Sequence, residues 1–145
     1  MGPYAWTFLH RNWDLTLIGS KIDAQEVPGT PNREEVIRVF KKAIELNEDF
    51  KNTVKTIPFE EHQSKRATLE QYHEDVLSPK LADCVKLLSS GNDGHLAVEF
   101  FKLLISYENS ASEEFSFALG ETFLNNPSLI EATLPKFTTS ERKFL

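Results

Sequence analysis

Glu70 and His73 are the pair whose types and spacing come nearest to a chemical site, because an i, i+3 interval on a helix turns both side chains toward one side. Helical bundles that hold a carboxylate-bridged pair of metal ions use this Glu-x-x-His spacing, and they use it twice. No second copy occurs here: three residues before His62 stands Phe59, before His95 stands Asn92, and before His10 stands Thr7. A dinuclear centre of that type is therefore unsupported. His73 lies on an otherwise apolar stripe with Glu70 and Glu74 beside it, which leaves two readings. Either it is a partly buried histidine holding a carboxylate or a backbone carbonyl, or it joins His62 and Glu70 in a mononuclear metal site, should the fold bring the three together.

Nucleophilic and phosphate-binding chemistry find less support. Cys84 is the one cysteine, so the chain has no internal disulfide, no thiol pair and no Cys-based zinc site, and its neighbours place it on a core stripe without a thiolate-stabilising group. There is no Gly-x-Ser-x-Gly elbow and no glycine-rich phosphate loop; Gly91 and Gly94 bracket an Asn92-Asp93 turn without the Lys and Ser/Thr that a phosphate site needs. No catalytic residue, metal-ligand set or cofactor is assigned.

What remains is surface. Carboxylates gather at Glu60, Glu61, Glu70, Glu74 and Asp75, and again at Glu108, Glu113 and Glu114, so a negative face formed by Glu70, Glu74, Glu113 and Glu114 is expected to steer a basic protein partner. His73 lies within that face. Tyr4, Trp6 and Trp13 are the second binding candidate, since aromatic residues are enriched at binding hot spots. The competing readings are plain solubility for the carboxylates and an arm closing over its own core for the aromatics. A net charge of -6 argues against nucleic acid, whose affinity comes from clustered cations. No apolar run approaches the roughly 18 residues that span a bilayer. These features fit a cytoplasmic protein, with an exported mature domain as the alternative.

The elements that must position these groups are helical. At 145 residues, with 40% hydrophobic and 26% charged residues, the chain has the size and balance of one globular unit. Residues 1–31 read as an aromatic arm ending in the loop Val27-Pro28-Gly29-Thr30-Pro31, and 32–145 as the helical domain. Asn32 and Glu35 have capping-box spacing ahead of a stripe of Val36, Phe40, Ala43, Ile44, Asn47, Phe50 and Val54. After Pro58 a polar stretch, Phe59 to Lys65, leads into a helix with Leu69, Tyr72, His73 and Val76 inward. Ser78-Pro79 reads as the N-cap and first residue of a further helix carrying Leu81, Cys84, Val85 and Leu88. The segment His95 to Tyr107 is apolar on nearly every side and should be central. Ser110 and Glu113 open a helix with Phe115, Ala118, Leu119, Thr122 and Phe123 inward; Pro127 to Leu134 and a short helix from Thr138 follow. The eleven phenylalanines suggest a Phe-rich core.

The expected fold is all-α: antiparallel helical hairpins in an irregular bundle or a short α-solenoid. The helix, turn, helix run from His95 through Phe137 resembles HEAT-type hairpins, and helical hairpins in general supply grooves. The functional expectation is thus a non-enzymatic, acidic helical protein-interaction domain, of the inhibitor or immunity type or a scaffold. Two alternatives stand beside it: a metal-binding or enzymatic protein using His73 and Glu70, and a structural segment of a longer polypeptide with exposed apolar surface around Phe137, Phe144 and Leu145.

Overall fold

The computed structural model describes residues 31–108 and 112–145. The proposed arm with Trp6 and Trp13, and Ser110 of the second capping pair, lie outside the described residues. Among the described residues the fold is all-α, with no strand. Helix α1 spans Arg33–Thr53, and the Asn32 side chain accepts from the backbone N–H of Glu35 at 3.2 Å, satisfying one orphan donor of its first turn. Val36, Phe40, Ala43 and Asn47 of the predicted stripe are buried.

Helix α2 spans Phe59–Tyr72, so the stretch read as polar linker forms its first turns. A π-turn, His73–Leu77, then joins it to helix α3, Ser78–Ser90, with no break between them. This corrects the expectation that Ser78 caps a new helix: Ser78 has helical backbone angles and its N–H donates to the His73 carbonyl, the i, i+5 pattern of a π-turn. Local sequence cannot separate the two cases, since Pro79 lacks an N–H in both. Within a continuous helix its ring would crowd the carbonyl four residues back, and a widened turn immediately before it relieves that conflict.

Helix α4, Gly94–Ser106, is central as expected: Leu96, Ala97, Phe100, Phe101 and Leu103 are fully buried. Asp93 caps it, accepting from the Leu96 N–H at 3.0 Å. Helix α5 is Glu114–Asn125 and α6 is Pro127–Thr133, with Asn126 as cap between them; a 3-10 turn, Leu134–Lys136, leads to the one-turn helix α7, Thr139–Arg142. At α7 the Thr138–Glu141 capping box is complete. Helix α1 packs on α2, α3 and α4, α3 on α4 and α5, and α6 on α4 and α5.

A run of rings crosses this core. Phe40 and Phe100 have centroids 6.2 Å apart, Phe100 and Phe101 6.2 Å, and Phe101 and Phe137 5.6 Å. Each such buried ring stabilises the fold by roughly 1.5–3 kcal/mol. The Phe-rich core is therefore real in its centre, yet Phe59, Phe123 and Phe144 are exposed. Phe123 departs from its predicted inward stripe because α5 turns Glu114, Phe115, Ala118 and Thr122 inward, and Phe123, one residue round from fully buried Thr122, faces out with Leu124. Phe137, exposed only under the reading of the chain as a segment of a longer polypeptide, is buried against Phe101, after the 3-10 turn Leu134–Lys136.

Candidate functional site

A cleft of about 460 Å³ opens between the C-terminal half of α1, helix α2 with its π-turn, and the end of α4. Phe50, Leu69 and Tyr107 supply its apolar lining. Asn47 and Lys51 come from α1, Arg66 and Glu70 from α2, and His73 and Glu74 from the π-turn. That volume falls in the range of small-ligand sites and of pockets that take one or two side chains of a partner.

The α1 wall is fixed by the C-terminus of α4. Asn47 donates through Nδ2 to the Ser106 carbonyl at 2.7 Å, Lys51 donates to the same carbonyl, and the Ser106 hydroxyl donates to Glu48 at 2.9 Å. A helix C-terminus leaves carbonyls without donors, and these side chains supply them. The Ser106 hydroxyl and, after it, Lys51 at 3.2 Å hold the Glu48 carboxyl below its ordinary range. Arg66 is likewise engaged, at 2.8 Å from Glu70. Tyr107 donates to the Ala43 carbonyl at 3.3 Å, and burial, with Tyr72 adding to it, pushes its phenol up to about 12.

Behind the cleft lies a buried polar cluster. His73 Nε2 stands 2.9 Å from Glu114 Oε2, and the Ser78 hydroxyl donates to Oε1 of the same carboxylate. Phe115 and Tyr107 meet the imidazole, at 5.4 and 6.2 Å between centroids. The order of the groups matters for chemistry. Ser78 donates to the carboxylate, and among the described residues no hydroxyl-to-imidazole bond of the kind that joins a nucleophile to its base is seen in the cluster. It ties the π-turn to the first turn of α5, and it satisfies a carboxylate that burial would otherwise penalise.

A second network joins the N-termini of α1 and α4, away from the cleft. Arg33 pairs with Asp93, its Nη2 lies 2.9 Å from His95 Nδ1, and buried Glu99 takes Lys102 at 3.0 Å with His95 Nε2 at 3.7 Å. The Arg33 hydrogen bond is the main cause that lowers the Asp93 carboxyl, and the Leu96 N–H adds to it. Sequence reasoning passed over this network, although His95-x-x-x-Glu99 and Glu99-x-x-Lys102 both have helix-face spacing.

The expected binding residues divide accordingly. Glu70, His73 and Glu74 are brought together along one wall of the cleft, and Glu113 is exposed beside the start of α5. Glu114 is a correction: it was expected on the acidic surface, and it is buried as the partner of His73 and Ser78. Its position four residues before Ala118 and eight before Thr122, both buried, was the available signal. His62 stands against the Phe50 ring, 5.0 Å between centroids, and no three His, Cys, Asp or Glu side chains among the described residues are grouped to hold a metal ion. Among those residues no helix is long and apolar enough to cross a membrane. Comparison with protein-family models, curated proteins and solved structures finds no match to this chain.

Proposed function

We propose that the protein is a non-enzymatic helical interaction domain, acting on another protein as an inhibitor, immunity-type protein or scaffold, and that its working face is α2 together with the cleft behind it. The observation that carries this reading is that α2, fourteen residues long, has no buried residue. It leans on α1 and meets the core only at its C-terminal end, through half-buried Tyr72, while Phe59 is left 73% exposed. A helix that leaves a large apolar side chain in solvent offers it to a partner, and helix-and-groove surfaces are a recurrent means of binding one.

The reading is tested by capture from the native source with the wild-type protein, with a Phe59→Glu/Leu69→Glu variant, and with Phe123→Glu as a surface control. A partner held near equal stoichiometry by the wild type and the control, and lost by the α2 variant, supports the assignment. Capture that is unaffected by the α2 changes, or the repeated absence of any partner, overturns it.

A further inference from the structure

The cleft also carries information about what enters it, and here the inference rests on the interaction reading above. We infer that the occupant is a basic, amphipathic segment of a partner protein: an apolar side chain seated on Phe50, Leu69 and Tyr107, and a Lys or Arg beside it directed at Glu74. Between Glu48 and Asp75 the chain has seven carboxylates against four Lys and Arg residues. The sign of the free charge follows from how the cations are used. Lys51 is held by Glu48 and the Ser106 carbonyl, Arg66 by Glu70, and Lys65 by Asp49 at 2.9 Å, while the fourth cation, exposed Lys55, lies outside the cleft lining. Of the cleft's own charges, Glu74 is the carboxylate without a cation partner among the described residues, and Glu60, Glu61 and Asp75 continue the surplus along the exposed side of α2 and the π-turn.

An acidic segment would meet uncompensated carboxylates on approach, and its own charge would find Lys51 and Arg66 already occupied. A wholly apolar segment would cover Glu74 without a partner, and a covered charge with no counter-ion is costly. A basic amphipathic segment satisfies both parts of the cleft, and the surplus on α2 steers it in before contact.

The test uses two synthetic peptides, one of Leu and Lys in an amphipathic repeat and one with Glu in place of every Lys. Each is titrated into the full chain while the backbone amide resonances are followed. The expected result is that the Leu/Lys peptide moves the resonances of Leu69, Glu74, Ser106 and Tyr107, while the Leu/Glu peptide leaves them in place. Glu74→Lys should weaken the first by about tenfold, Glu74→Gln by less, and added salt should weaken it in the wild type. Equal binding of the acidic peptide, shifts confined to another surface, or no binding of the Leu/Lys peptide overturns the inference. Should a captured partner depend on α2 while the Leu/Lys peptide leaves the cleft untouched, the charge assignment fails and the docking face stands. Capture that ignores α2 removes the docking face itself.

Discussion

His73 and Glu114, on elements separated by 41 positions in the chain, meet at 2.9 Å behind the cleft, and Glu114 also takes the Ser78 hydroxyl. One carboxylate thus fixes both ends of the π-turn to α5. Removing it takes from the imidazole and the hydroxyl a shared partner in a largely buried place, which costs more than the loss of one bond between exposed groups. Glu114→Ala is expected to lower stability by about 2 kcal/mol, and Glu114→Gln, which keeps an acceptor oxygen, by less. A double-mutant cycle with His73→Ala in urea should give a coupling of about 1 kcal/mol. Strictly additive losses would show that the two side chains do not act as a pair.

Acid should destabilise the fold through the carboxylates that it holds ionised. Arg33 lowers Asp93, and the Ser106 hydroxyl lowers Glu48. A carboxyl depressed in the folded state adds stability that is fully present above its unfolded value, about 4, and is lost as pH falls through the lower folded value. The urea midpoint should therefore decline as pH drops below about 4, and the decline should be shallower in Asp93→Asn than in wild type. The same acid limb in both proteins would show that the Arg33–Asp93 contact has no part in it.

The start of α1, the centrality of α4 and the last capping box were legible because each is written in residues close together: Asn32 before Glu35, an unbroken apolar run, Thr138 before Glu141. The beginning of α2 was hidden because Phe59 to Lys65 is helical without burying anything, so no apolar period marks it. Ser78-Pro79 was ambiguous because a proline tolerated at a helix start is tolerated equally after a π-turn. The candidate site divides along the same line. Glu70, His73 and Glu74 were recognisable as neighbours because one helical turn and the π-turn after it place them together. The partner of His73 came from another helix, and no local spacing reports which of many carboxylates will be buried against it.

Cys84 should be chemically silent in the native protein. Its side chain is fully buried in α3, and burial pushes its thiol well up, with Asp93 and Asp83 adding to the effect. Both the lack of access and the scarcity of thiolate oppose reaction. Labelling by a disulfide reagent at neutral pH is expected to be slow without denaturant and to accelerate together with the unfolding transition. Rapid stoichiometric labelling of the folded protein would place the thiol at an accessible surface instead.

Two glycines should respond in opposite directions to the addition of one methyl group. Gly120 lies exposed within α5, and a Cβ there would meet no atom within 4 Å, so close packing does not require the glycine. Gly120→Ala then mainly restricts the unfolded chain and favours the helix, which should raise stability by about 0.5–1 kcal/mol. At Gly91, after α3, a Cβ would sit 3.0 Å from the Leu87 carbonyl oxygen, which belongs to the helix backbone and cannot swing aside. The Gly91 carbonyl also accepts from Asn126 at 2.8 Å, the same amide that reaches the Leu88 carbonyl at 2.8 Å, so a shift at Gly91 disturbs the tie between α3 and the start of α6. Gly91→Ala should therefore lower stability by roughly 1 kcal/mol, with the slope of the urea transition unchanged in both variants. A destabilised Gly120→Ala would mean that the exposed face of α5 is in contact with something the packing of the described residues does not include.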